Sequence, residues 1–347
     1  MFLALKEIKH EKLRYGLIIA MIVLISYLIF ILTSLALGLA QENTAAIDGW
    51  KIRSAVLNKD SDVSLRQSLL TTDQVNKLTK DKNNAVIAET SIVAKTKGKA
   101  KQASTFIGLD NSQFISKDLK LTSGHKPEND RQVVVDDSFK QYGYKLNDKL
   151  TINSDSTAYT IVGFTHNAKL NISPIVYGTI PTWQKLRGMG NAFGGSAVVS
   201  KQANIDNSDK NLKVYTVTQV INKLPGYTAQ NSTFIFMIGF LMIISLIIIA
   251  VFLYIITIQK LGNYAVLRAQ GSPAKLLVGA TFSQSGLVIS LILTAATALS
   301  IPSSVPMAFN INFMTIVSIG LIFMAILGSL IPVRIVLKVD PVSVIGG

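Results

Sequence analysis

The sequence predicts an α-helical membrane protein with four transmembrane helices and a mixed α+β extracytoplasmic domain inserted between helices 1 and 2. Hydrophobic residues make up 49% of the 347 positions and charged residues 16%, and the two kinds are segregated along the chain. Four uncharged apolar stretches each exceed the ~18–20 residues that cross a hydrocarbon core. They cover 15–40, 234–258, 276–299 and 313–333. The polar, mixed sequence between the first two predicts a water-soluble domain.

The distribution of Lys and Arg predicts which side of the membrane each segment faces. Basic residues precede the first span and occupy the short loop between spans 2 and 3, which has no acidic residue. Short basic loops stay in the cytoplasm, so we expect both termini inside and the large domain outside. The predicted segments are an amphipathic cytoplasmic helix (1–14), transmembrane helix 1 (15–40), the extracytoplasmic domain (41–232), transmembrane helix 2 (233–258), a cytoplasmic coupling segment (259–275), transmembrane helix 3 (276–300), an outer loop (301–312), transmembrane helix 4 (313–333) and a cytoplasmic tail (334–347).

Strand and helix signals alternate within the predicted outer domain. Short runs rich in β-branched and aromatic residues predict strands at 85–93, 132–136, 149–153, 159–165, 174–180 and 197–200. Helices are predicted at 72–80, 137–142, 181–186 and 218–224, with Thr72 as the N-cap of the first. Asn147 and Asp148 predict a turn between a helix and a strand.

Several classes of function are excluded by the residues that the sequence lacks. It has no cysteine, so we expect no disulfide bonds and no thiolate metal ligands. It has no phosphate-binding loop of the G-x-x-x-x-G-K-[ST] type, so we expect no ATP hydrolysis by that route. None of its three histidines lies at metal-ligand spacing from another, although His166 stays open as an accessory ligand. The formal net charge of +14 is spread along the chain, which favours anionic lipid over nucleic acid as the counter-charge.

The four apolar stretches contain no ionisable side chain. Carriers driven by protons or sodium usually need such groups inside the membrane, so any transport would draw its energy from a partner. A strongly hydrophilic cargo would also need a polar lining, and its absence favours a lipid-soluble one.

The segment between spans 2 and 3 predicts a short helix. Tyr264, Val266, Leu267 and Ala269 form an apolar stripe, and the Gly-Ser-Pro sequence that starts at Gly271 predicts where the helix ends. Two interpretations fit the spacing equally: a stiff lever that contacts a partner, or an ordinary cytoplasmic loop.

Glu42 and Tyr227 flank the predicted outer domain, just outside spans 1 and 2. They could share a site at the outer interface. By position alone, Tyr227 also fits an interfacial aromatic anchor and Glu42 a solvated residue. Met237 and Met242 on span 2 fit packing against lipid or neighbouring helices better than pocket lining, although their side chains are adaptable enough for a pocket.

Several motifs carry a resemblance to a known family. The coupling segment VLRAQGSPAKLL, the terminal KVDPVSVIGG and the outer-domain stretch from Ser123 to Phe164 resemble the MacB/FtsX-like ABC transporter permease superfamily. The stretches LALKEIKHEKLRY, GLAQEN and YTAQNSTFIFMI are most similar to its haem-exporter (hemin transport system) branch.

The resemblance implies a bacterial plasma-membrane permease subunit that is not itself an enzyme. It implies a homodimer with two copies of a separate ABC ATPase, no permanently bound cofactor, and haem as the transported ligand. The implied haem contacts are Glu42 and Tyr227, with Met237 as candidate lining. The implied ATPase contacts are Tyr264, Leu267, Arg268 and Gly271. Two alternatives stay open: an exporter of another amphiphile, such as an antimicrobial peptide, drug or lipoprotein, and a mechanical transducer that transports nothing.

Overall fold

The computed structural model describes residues 12–270 and 307–337. The chain divides into two compact units: a membrane unit, up to Gly38 and from Asn231 onward, and an inserted unit, Leu39–Gln230. The inserted unit, called the outer domain below, contains both helices and strands. The predicted mixed α+β domain between the first two spans is therefore confirmed.

The first helix, α1 (Lys12–Trp50), runs 39 residues without interruption. It continues ten residues beyond the predicted end of span 1, because the segment after Ala40 is rich in residues that tolerate helix and its polar side chains bond back to the preceding turn. Asn43 Nδ2 donates to the Leu39 carbonyl at 2.8 Å, and Thr44 Oγ1 donates to the Ala40 carbonyl at 3.2 Å. The helix ends where Lys51 adopts a positive φ of 53°.

The outer domain contains short elements throughout. Its strands are β1 (Ser54–Asn58), β2 (Leu70–Thr71), β3 (Asn84–Lys95), β4 (Gln102–Leu109), β5 (Leu121–Gly124), β6 (Gln132–Asp136), β7 (Lys149–Ile152), β8 (Tyr159–Thr165), β9 (Lys169–Leu170), β10 (Ser173–Thr179), β11 (Phe193–Gly195), β12 (Ala197–Ser200) and β13 (Leu212–Thr216). Its helices after α1 are α2 (Thr72–Leu78), α3 (Phe114–Asp118), α4 (Ser138–Gln141), α5 (Ile180–Arg187) and α6 (Val217–Asn222).

All six predicted strands and all four predicted helices of the outer domain are present. One detail of the prediction is wrong: the N-cap of α2 is Thr71, not Thr72. The Thr71 hydroxyl accepts from the Gln74 amide, and the Gln74 side chain accepts from the Thr71 amide, so the two residues form a capping box. The predicted turn is confirmed, and Asn147 has the positive φ, 68°, that asparagine tolerates there.

A mixed sheet forms the centre of the outer domain, with strand order β13-β1-β12-β3-β4-β10-β6-β8-β5. The β10–β4 and β6–β8 pairs are parallel, whereas β3–β4 and β10–β6 are antiparallel. Alternate residues of each strand face opposite sides. Tyr177 of β10 thus joins the core cluster around Trp50, while its neighbour Val176 joins the cluster around Trp183.

The described part of the membrane unit contains two further long helices, α7 (Tyr227–Gln259) and α9 (Ile311–Leu337), and the short α8 (Leu261–Ala269) follows α7. Within the described residues, three helical segments are long and apolar enough to cross a membrane: Val23–Trp50, Tyr227–Gln259 and Ile311–Ile335. The predicted third span lies outside the described residues. Gly328 of α9 allows α7 to approach closely, because an added Cβ would lie 3.2 Å from the Ala250 amide nitrogen.

Candidate functional site

The predicted coupling segment begins with a helix, as its pattern indicates. α8 ends at Ala269, directly before Gln270, whose amide donates to the Val266 carbonyl at 3.0 Å. Ala265 is buried and Val266 is half exposed, so α8 has distinct inner and outer faces. Tyr264, Leu267 and Arg268 lie on this helix, and Gly271 lies outside the described residues.

Glu42 lies on α1 at the start of the outer domain, where its carboxylate is about three-quarters buried. It accepts a short hydrogen bond from the Lys169 ammonium of β9, and the two form an ion pair. Backbone contacts hold the same place together: the Asn171 amide donates to the Asn43 carbonyl at 2.9 Å, and the Ile172 amide to the Glu42 carbonyl at 3.3 Å. The first candidate contact is therefore a fixed, charge-compensated carboxylate.

Tyr227 is the first residue of α7 and is half-buried in the outer domain. Its amide donates to the Leu224 carbonyl at 3.1 Å. Among the described residues, its hydroxyl has no hydrogen-bond partner, and no bond joins it to Glu42. Met237 lies ten residues further along α7, in the membrane unit, where its side chain is exposed.

The outer domain contains a cavity of about 760 Å³ that the sequence did not predict. It is lined by the last turns of α1, by the segment around Leu121 and by the residues that follow β8. His166, which the sequence left open as an accessory ligand, lies on its wall. Trp50 and Tyr177 also line it, but each is an ordinary core aromatic in sequence, so no local signal could have marked them.

A buried acid lies on the same side of the sheet as Trp50. Glu89 of β3 is 7% exposed, and its carboxylate lies 3.6 Å from Arg66 Nε. Burial raises the pKa of Glu89, and the nearby Arg66 guanidinium opposes that rise. The pair borders a smaller cavity of about 170 Å³.

The described residues hold no group of three or more His, Asp or Glu side chains that could bind a metal ion.

No family model matches the chain. A Staphylococcus epidermidis protein provisionally named hemin transport system permease protein HrtB is 27% identical over 356 aligned residues, which cover 100% of this chain and 99% of that protein. The corresponding Staphylococcus haemolyticus protein is 26% identical with the same coverage. The chain resembles hemin transport permeases over its full length.

That similarity confirms the resemblance predicted from the motifs. A solved structure of the periplasmic region of MacB from Actinobacillus actinomycetemcomitans is 15% identical; the match covers 50% of this chain and 95% of that one, with a TM-score of 0.38. The chain thus resembles proteins named permeases over its full length, and a large domain lies between its first two long apolar helices.

Proposed function

We propose that this chain is the permease subunit of an ATP-driven exporter that expels haem from the plasma membrane. It works as a homodimer with separate ATPase subunits, and its outer domain faces away from the cytoplasm. The observation that carries the proposal is the full-length similarity to proteins named hemin transport permeases. The uncharged apolar stretches support it, because they offer no groups for ion-driven transport and suit a lipid-soluble cargo.

In the proposed mechanism, ATP binding closes the partner ATPases and moves α8 as a rigid body. The long helices then shift, and the outer domain releases cargo outward. Arg268→Glu should uncouple the partner, because it reverses charge on a segment that otherwise has only basic side chains. ATPase activity of the reconstituted complex and haem tolerance of cells would both fall, with membrane levels equal. If cells with Arg268→Glu export haem as the wild type does, α8 does not act as a lever for the partner ATPase.

Glu42 and Tyr227 are the proposed haem contacts, since carboxylate and phenolate are anionic oxygen donors that suit ferric iron. Glu42→Gln and Tyr227→Phe keep nearly the same volume and remove one charge or one oxygen. We expect each to weaken haem retention on the order of tenfold, the scale of a charge-assisted contact.

Two matched variants control for nonspecific effects. Asp62→Asn also breaks a carboxylate–lysine pair, with Lys223 at 2.7 Å, and Tyr142→Phe removes another phenolic oxygen of the outer domain. Both should behave as wild type. If Glu42→Gln and Tyr227→Phe also protect cells normally, the contacts are wrong but export stands. If the wild-type chain with its ATPase gives no protection against haem, the proposed function is wrong.

A further inference from the structure

The cavity of the outer domain has the size of a ligand site and its own access to solvent. Its volume of about 760 Å³ lies within the ~300–1,000 Å³ typical of small-molecule pockets. Gln41, Ala45, Asp48 and Gly49 of α1 line one side at the spacing of a single helix face. Glu42 lies outside this lining, so the cavity differs from the site proposed above.

An apolar wall and a buried hydroxyl form the inner part of the cavity. Trp50, Ile115 and Ala168 supply apolar surface and are each at most 5% exposed. Trp50 Nε1 donates to the Tyr177 hydroxyl at 3.2 Å. Burial raises the pKa of Tyr177, so the hydroxyl keeps its proton. Among the described residues that proton has no acceptor, which leaves a buried donor for a group inside the cavity.

Two exposed lysines, Lys51 and Lys120, line the cavity, and neither forms an ion pair with a described residue. Two acids also line it. Asp118 pairs with Lys201 at 2.8 Å, and its pKa is lowered by that hydrogen bond and, to a smaller extent, by the charge of Lys51. Asp48 accepts from Thr44 Oγ1 at 2.8 Å. Lys120 and Lys51 are thus the groups of the lining that could bind the carboxylates of a ligand.

His166 provides a nitrogen that can bind metal. Its ring is 71% exposed, and its Nδ1 lies 3.6 Å from Asp137 Oδ2. Burial alone would raise the pKa of Asp137, but hydrogen bonds from Lys140 and Thr122 hold it below its usual value, so the carboxylate stays ionised. With the carboxylate on the Nδ1 side of the ring, Nε2 is the nitrogen that could bind a metal.

We propose that this cavity is a second haem site, which holds a flat metal-bearing tetrapyrrole through His166 and the two lysines. The ring lies against the apolar wall, the carboxylates approach Lys51 and Lys120, and His166 Nε2 binds the iron. The identity of this ligand rests on the proposed function. The site gives the outer domain a role in receiving cargo before release.

The test is a hemin titration of the purified full-length chain in detergent, followed by Soret absorbance against an empty-micelle blank. Gly49→Phe should block the cavity, because Gly49 lines it and an added Cβ there meets no atom within 4 Å, which leaves room for the side chain to start. We expect the hemin titration of Gly49→Phe to lose the component that corresponds to the cavity. Gly16→Phe, at a similarly open position of α1, is its control and should bind as wild type.

Metal-free protoporphyrin separates ligation from shape and charge. His166→Ala should weaken hemin binding about tenfold or more and shift the Soret band, yet leave protoporphyrin binding unchanged. The Lys51→Gln/Lys120→Gln double variant should weaken both ligands. His125→Ala and Lys80→Gln/Lys82→Gln, outside the cavity, are the matched controls.

Unchanged affinity and spectrum with both Gly49→Phe and His166→Ala would overturn the second site. That result would leave the proposed function intact wherever the wild-type chain still protects cells from haem. If the wild-type chain with its ATPase does not protect cells from haem, while the purified chain still binds hemin in the cavity, export is rejected and the second site stands.

Discussion

The two tryptophans of the chain occupy opposite faces of one sheet, and their surroundings differ. Trp50, at the end of α1, is 5% exposed and donates to the Tyr177 hydroxyl beside a large cavity. Trp183, on α5, is fully buried and donates to the Glu89 carbonyl at 2.9 Å. Around Trp183, the aromatic rings of Phe106, Phe139 and others fill the core.

Because their surroundings differ, we assign different roles to the two faces of the sheet. The residues around Trp183 are almost completely buried, so this face supports the sheet. The face around Trp50 also has a buried core, but Trp50 and Tyr177 border a cavity there. Making the same substitution on each face therefore tests whether the two faces of the sheet differ in packing.

The largest expected effect comes from Trp183→Ala. Removing a fully buried tryptophan from a packed core should lower the free energy of unfolding of the outer domain by ~3–5 kcal/mol. Trp50→Ala should cost clearly less, because one side of its ring already borders open space. Denaturant titration can follow the remaining tryptophan in each variant, since both lie in the outer domain. Equal losses of unfolding free energy in the two variants would contradict the proposed difference between the faces.

The next test exchanges two glycines for alanine. At Gly178 of β10, an added Cβ would lie 2.5 Å from Phe106 Cζ, so Gly178→Ala should destabilise the domain by ~1–3 kcal/mol through overpacking. At Gly49, with nothing within 4 Å, Gly49→Ala should instead stabilise α1 by up to ~1 kcal/mol. The same denaturant titration measures both, and changes of the same sign would refute the prediction.

Glu89→Gln tests the buried acid through pH. Burial raises the pKa of Glu89 above its unfolded value of 4.5, so the folded domain binds this proton more readily than the unfolded chain does. Wild-type stability should therefore gain relative to Glu89→Gln as pH falls from neutral towards 4.5. Unfolding midpoints compared across that window measure the gain. Parallel curves for the two proteins would show that Glu89 does not titrate there.

The smallest expected effect is that of Lys201→Ala. Its hydrogen bond holds the pKa of Asp118 below the usual 3.8, and both side chains are largely exposed. The contribution is present above pH 3.8 and is lost as pH falls through the lower folded value. We expect a cost of ~0–1 kcal/mol at neutral pH that high salt removes. A loss above ~2 kcal/mol at neutral pH would indicate a structural role beyond that of an exposed pair.

The sequence by itself determined the three long apolar helices that the structure describes and six of the thirteen strands, because these elements depend on local properties. Length and hydropathy identify a helix that can cross a membrane, and β-branched runs such as Gln132–Asp136 identify a strand to the residue. The sequence could not identify the N-cap of α2, because Thr71 and Thr72 are the same residue type. Only the hydrogen bonds between Thr71 and Gln74 in the structure distinguish them.

The tertiary structure alone decided the rest. β4 has the mixed sequence QASTFIGL, without a clear alternation, and becomes a strand because β3 and β10 pair with it on both sides. The cavity likewise joins Gly49, Lys120, His166 and Tyr177, which are far apart in sequence. No local pattern encodes such a meeting, because it depends on how the end of α1 packs against the sheet.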